Sequence, residues 1–265
     1  MDDKEMALKR VFQNAAGVLS GRWWESGWLR GRRGVPDGEL VVVKSGLAQL
    51  DRAMGTGGLP QGHITELIGP DTGGSLSVMA KIAAKCQRKQ LAVTIFDVAG
   101  QVDFEHLIRC GLVAPDLLCI RPNNALDLVH QLQLAAKEEG LVVLNLGFIP
   151  ATFDAIPAAA LRNLMGRLRQ IVRTAAATFL CVTTPEEINP LIHTNYLPEF
   201  PLNEVAAIRL WVQDEGWIRK NGDVGGYRGN ITVIKNLLAE SGKGANVRVP
   251  FINPEIGRLS EELGF

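Results

Sequence analysis

The sequence carries no surplus of either charge: 28 Lys and Arg balance 28 Asp and Glu among 265 residues. A chain without a basic field does not draw nucleic acid to itself as a whole, so any such contact must come from a local patch. Cysteine is sparse, at 4 residues, and none forms a C-x-x-C pair. Cys86, Cys110, Cys119 and Cys181 each sit in an apolar stretch. That excludes a disulfide scaffold and predicts buried free thiols in a reducing, cytoplasmic setting. No run approaches 18 apolar residues, which predicts no membrane span. The opening "MDDKEMALKR" is acidic and lacks the apolar run of a signal peptide. His106 and Cys110 lie four apart, but two ligands do not make a metal site. No Ser/His/Asp pattern surrounds His63, His130 or His193.

What is present fits one sizeable globular core, with 46% hydrophobic and 21% charged residues. Residues 3–19 place Met6, Leu8, Val11, Phe12, Ala15, Ala16 and Leu19 near helical spacing, which predicts a leading amphipathic helix. Residues 20–38, "SGRWWESGWLRGRRGVPDG", read as an extended arm rich in Gly, Trp and Arg. The helix and arm, 1–38, form one unit and the core, 39–265, another. "LVVVK" (40–44) reads as a strand, Ser45 as the start of a short helix, and "GTGGLPQG" as a glycine-rich turn.

From there the pattern is regular. Apolar runs at 63–68, 92–97, 117–121, 141–146 and 178–183 predict strands. Helix-period segments lie at 74–88, 103–110, 124–139 and 155–175. Such alternation implies an α/β fold, a mostly parallel sheet covered on both faces. After residue 204, "VAAIRLWVQ", "GWIRKNG", "GNITVIKN" and "VRVPFI" predict four strands that extend the sheet in mixed or antiparallel fashion.

The stretch with most chemical content is "GPDTGGSLS", residues 69–77, between a strand and a helix. A phosphate loop of pattern G-x-x-x-x-G-K-[ST] belongs there, working through backbone amides, a helix N-terminus and one lysine. Gly69, Gly73 and Gly74 keep the backbone part. Ser75 stands at the lysine position and Leu76 at the hydroxyl position. A serine cannot neutralise phosphate charge, and a leucine cannot ligate magnesium.

The order of motifs resembles the RecA recombinase family. "SGLAQLDRAMGTGGLPQGHITELIGP" (45–70) is similar to that family's lead-in, with Leu50-Asp51 and Gly57-Gly58-Leu59-Pro60-x-Gly62 matching. "LLCIRP" (117–122) and "GNITVIKN" (229–236) follow in the family's order. The resemblance implies a RecA-like core, a twisted sheet with antiparallel strands at its C-terminal side. It also implies an ATP site, two DNA-binding loops and filament assembly. The family's catalytic glutamate falls on Ala99, with Asp97 kept two residues earlier, and its magnesium-serving aspartate falls on Asn145. With Ser75 and Leu76, every charged or ligating position of the site is replaced. The expectation is a pseudo-ATPase with no cofactor. An atypical ATPase drawing its lysine from Lys81 or Lys85 is the enzymatic alternative.

The two segments in the place of the DNA loops are poor in cations. None precedes Arg162 after Asn145, and residues 184–204 carry four acidic residues and no Lys or Arg. Phosphate neutralisation needs cations. Tyr196 or Phe200 remain for base stacking, beside the plainer reading of a loop packed on its own apolar residues. Lys235 matches a family position that reaches a neighbour's nucleotide, whereas Leu237 replaces a second such lysine. In the arm, Arg22, Arg30, Arg32 and Arg33 stand among Trp23, Trp24 and Trp28. These types favour interface hot spots and also stacking on bases, which keeps weak nucleic-acid contact and regulation of recombinase filaments open. The arm also reads as tryptophans closed over the core with arginines in solvent.

The "GHITELI" strand and "WLRGRRG" arm are most similar to the ImuA-like branch of the family. Those are short relatives acting as accessory factors in error-prone translesion synthesis, part of the SOS response to DNA damage. The resemblance implies docking of residues 3–34 to a recombinase filament or a polymerase subunit, nucleoid association through those partners, and self-association through the leading helix.

Overall fold

The computed structural model describes residues 40–185, 197–220 and 223–252. The leading helix, the arm and the division between the two units all lie outside the described residues.

Two short strands, β1 (Val42–Val43) and β2 (Leu59–Pro60), pair antiparallel across helix α1 (Ala48–Ala53). The glycine-rich turn therefore contains a strand. The helix begins later than expected because Ser45 is occupied otherwise: its Oγ accepts from Leu47 N, and its own amide donates to buried Asp51.

β3 (Ile64–Ile68) is buried at every position and leads through the loop into α2 (Ser75–Gln87). There follow β4 (Ala92–Asp97), α3 (Phe104–Arg109), β5 (Leu117–Ile120), α4 (Ala125–Ala135) and β6 (Gly140–Gly147). Asp103 caps α3 by accepting from the Glu105 and His106 amides, and Asn124 caps α4 through Asp127 N. Such caps satisfy donors that a helix start leaves open. The helix expected over 155–175 is present, starting three residues later than expected, and a separate turn of helix precedes it. That turn is α5 (Ile149–Thr152), and the helix, α6 (Ala158–Thr174), starts only after Pro157. Along α6, Leu161, Leu164, Met165, Leu168, Ile171 and Val172 form one buried stripe. β7 (Thr178–Thr183) and a turn of helix, α7 (Leu202–Val205), complete the parallel part.

The C-terminal strands are β8 (Ile208–Lys220), β9 (Asp223–Asn236) and β10 (Gly244–Pro250). Two of the four expected strands, "VAAIRLWVQ" and "GWIRKNG", are one: β8 runs through an irregularity between Asp214 and Gly216 instead of turning. The main sheet has eight strands in the order β10-β9-β8-β3-β7-β6-β4-β5. β5, β4, β6, β7, β3 and β8 are parallel, and β8, β9 and β10 pair antiparallel.

Both faces are covered. Leu50, Val78, Met79, Ile82 and Leu107 from α1–α3 pack on one face with Leu67, Val143 and Val212. Leu128, Leu132, Leu164 and Leu168 from α4 and α6 pack on the other with Ile68, Phe96 and Phe179. This places the ends of β3, β4, β6 and β7 along one rim. The carboxyl rim of parallel strands is where α/β sheets hold ligands. Among the described residues, no helix is long and apolar enough to cross a membrane.

Candidate functional site

The loop from Gly69 to Gly74 turns β3 into α2 in a tightly confined space. A Cβ at Gly69 would lie 2.6 Å from the Val212 carbonyl oxygen, and one at Gly73 would lie 2.8 Å from Pro70 Cδ. Gly74 adopts φ +82°, left-handed, as the residue before α2. Gly73 N donates to the Pro70 carbonyl at 2.7 Å, and Val78 N to the Gly74 carbonyl at 2.9 Å. All three glycines are thus demanded by packing and backbone shape, independently of any ligand.

Ser75 opens α2 buried, and its Oγ has no hydrogen-bond partner among the described residues. A Cβ on Gly69 would lie 2.8 Å from that oxygen. Leu76 packs partly buried against the core. The first turn of α2 holds no acidic residue and no cation; its only basic residue near the far end is Lys85. Lys81 and Lys85 lie six and ten residues along the helix from Ser75, about 9 and 15 Å of rise. The Lys85 stem packs over Gly46. Burial and then the nearby Arg88 charge lower the Lys81 pKa. The loop's own charge is negative: Asp71 Oδ1 accepts from Thr184 Oγ1 at 3.0 Å.

Ala99 and Asn145 meet on the same rim. Asn145 accepts the Val98 and Ala99 amides on its carbonyl and donates Nδ2 to Asp97 Oδ1 at 2.9 Å. Asp97, buried at the end of β4, also accepts from the Gln101 and Val102 amides and from Arg121 Nε at 3.0 Å. Its carboxylate therefore ties β4, β5 and β6 together. A Cβ on Gly147 would lie 2.8 Å from Ala99 Cβ and 2.9 Å from Gln101 Oε1, so this corner is filled by the chain itself.

Several predicted contact residues are located and their roles revised. Phe200, held as a stacking candidate, is buried and packs edge-on against Phe153 at 4.9 Å. It is a core residue. Tyr196 and the arm residues Arg22, Trp23, Trp24, Trp28, Arg30, Arg32 and Arg33 lie outside the described residues. Arg162 faces Glu199 at 3.6 Å. Lys235 turns inward: Nζ donates to the Asn203 and Glu204 carbonyls at 2.9 and 3.1 Å. Burial, and secondarily Arg209, lower its pKa to about 8. Lys235 is thus cationic in both states below pH 8, at a cost to the folded state. That cost falls as pH rises from 8 towards the usual 10.5. The difference in urea midpoint between the natural chain and Lys235→Met should therefore shift in favour of the natural chain over that window. A flat difference would place the ammonium in solvent.

Three groupings take shape only in the fold. His106 Nε2 lies 2.8 Å from Ser77 Oγ and 3.6 Å from Cys110 Sγ, with its ring edge-on to Phe251 at 5.6 Å. Burial lowers the His106 pKa, favouring its neutral form, and pushes the Cys110 thiol up to about 11, so Cys110 is not an activated nucleophile. Cys86, Cys110 and Cys181 are buried free thiols, whereas Cys119 is only half-buried. Glu66, fully buried on β3, faces Arg209 Nε at 2.7 Å and accepts from Thr183 Oγ1 at 2.7 Å. Tyr227, from β9, lies against the phosphate loop. An acidic residue inside the strand-like "HITELI" is the sequence signal for the Glu66 pair; Tyr227 has none.

Fold and rim together define an α/β protein with a phosphate-loop topology. Residues 32–148 match the family model described as the RecA N-terminal domain. Similar proteins include Protein RecA of Syntrophus aciditrophicus, 25% identical over 220 residues, covering 76% of this chain and 63% of that one. Protein RecA of Thermus thermophilus is 24% identical over 237 residues, covering 82% and 69% respectively. Protein RecA of Mesomycoplasma hyopneumoniae is 27% identical over 252 residues, covering 86% and 74%. The chain spans less than two thirds of the first of these relatives. Fold and matches support a relation to the RecA-like superfamily.

Proposed function

We propose that this chain is a non-catalytic RecA-like accessory protein that works by docking to other proteins in DNA repair and damage tolerance. The observation that carries the reading is the chemistry of the rim. Where a nucleotide site needs a lysine, a metal-binding hydroxyl, a catalytic carboxylate and a second acid, this chain has Ser75, Leu76, Ala99 and Asn145. Each charge-assisted bond lost is worth about 1.5–3 kcal/mol. Losing two of them weakens triphosphate binding on the order of a thousand-fold. Asp97, the acid that remains, is spent on four donors within the fold.

The narrower reading is an accessory role in translesion synthesis, with the Trp- and Arg-rich arm engaging a recombinase filament or an error-prone polymerase subunit. It rests on the resemblance of "GHITELI" and "WLRGRRG" to the ImuA-like branch.

Isothermal titration of the full chain with ATP and magnesium tests the first reading. No saturable heat at micromolar ATP and no phosphate release are expected. Micromolar affinity with turnover would sink it in favour of the atypical ATPase. Cosedimentation with recombinase filaments on single-stranded DNA tests the second: binding should be lost when Trp23, Trp24 and Trp28 are changed together to alanine.

A further inference from the structure

Tyr227 reaches the phosphate loop from the far end of the chain, 154 residues from the carbonyl it bonds. Its ring lies where a Cβ on Gly74 would project, and its hydroxyl sits over Gly229 of its own strand. The hydroxyl donates to the Gly73 carbonyl at 2.6 Å and lies 3.2 Å from the Gln213 carbonyl. The side chain is 2% exposed.

This contact answers a specific need. Gly74 supplies the first carbonyl of the α2 ladder, to Val78 N, which leaves the Gly73 carbonyl outside it. A buried carbonyl without a donor costs free energy comparable to a lost hydrogen bond. The phenol provides that donor. Burial, together with Asp214 and Glu215, pushes its ionisation upward, so the hydroxyl keeps its proton. The two glycines facing the ring leave it room, and no larger residue fits at either.

We propose that Tyr227 is the positioning residue of this loop: it holds the strand-to-helix turn closed from beneath, so that the turn keeps its shape without a bound anion. A loop otherwise organised by phosphate contacts becomes a permanent part of the core. This goes beyond the non-catalytic reading, because it names what replaces the ligand as the loop's support.

Amide hydrogen exchange of the full chain tests it, read at Gly73 and Val78, whose amides close the turn. Tyr227→Phe keeps the ring and removes only the donor. It should speed exchange at both amides about ten-fold, with Val143 in the centre of β6 unchanged. Millimolar ATP with magnesium should leave natural-chain exchange at these amides unaltered. Equal exchange in the variant overturns this proposal alone, as does matching acceleration at Val143, which signals general destabilisation. Slowing of the natural loop by ATP overturns it together with the non-catalytic reading.

Discussion

Changing Asn145 to aspartate should destabilise the protein by about 3–5 kcal/mol at neutral pH, enough to threaten folding of a typical domain. The side chain is 1% exposed, and its Nδ2 donates to Asp97 Oδ1 at 2.9 Å. Aspartate has no proton to donate there. It would set a second carboxylate against the first in a buried site, where like charges cannot both ionise cheaply. Asp97 already engages Arg121 and two backbone amides, whereas the new acid finds none of these donors, so the repulsion falls on the new acid. Its folded-state pKa must then rise above the ordinary aspartate value of about 3.9. The penalty is full above that raised pKa and fades as pH falls towards 3.9. Urea unfolding of the variant should thus show a deficit at pH 7 that narrows measurably at pH 5. Asn145→Ala separates the two causes, since it loses a donor without adding charge and should cost about 1–3 kcal/mol at either pH. A stable, pH-insensitive Asn145→Asp variant would show that the rim still accommodates a carboxylate at this position.

That result bears on how much a linear reading can see. In the sequence, Asn145 stands where the resemblance puts a magnesium-serving acid. In the fold it is also a donor that Asp97 requires, a relation across 48 residues. The apolar runs of β3, β4, β6 and β7 were legible because strands of a covered parallel sheet are buried on both faces and read as continuous hydrophobic stretches. The loop was legible because Gly73 and Gly74 also meet local demands, a close approach to Pro70 and a left-handed φ. What remained hidden depends on distant packing. "QDEGW" has the composition of a turn, yet β9 holds β8 extended through it. Phe200, in an acidic proline-bearing segment, is drawn into the core by Phe153. Tyr227 is a β-strand residue like any other until the loop is folded over it.

Replacing Arg209 by methionine should also cost about 3–5 kcal/mol, for the opposite reason: it strands a charge instead of adding one. Glu66 has no solvent exposure, and Arg209 Nε approaches its Oε2 at 2.7 Å with only 12% of the arginine side chain exposed. A buried pair gains little over apolar residues of similar volume, because both ions were taken out of water. Removing one partner is different, since Glu66 then keeps its desolvation penalty with its closest cation gone. The double variant Glu66→Met/Arg209→Met should therefore be far more stable than Arg209→Met alone, although it carries one more substitution. In a urea-unfolding cycle the two changes should couple by more than about 2 kcal/mol, well outside the additivity of independent sites. Lys235 adds a check from within the same cluster. The Arg209 charge is one cause of its lowered pKa, and Glu66 opposes that lowering. In Arg209→Met the Lys235 pKa should accordingly climb back from about 8. Nζ-directed NMR titration reads that shift directly. Additive single effects and an unmoved lysine would mean that the pair is solvent-screened and that β3 is held in the sheet by apolar packing alone.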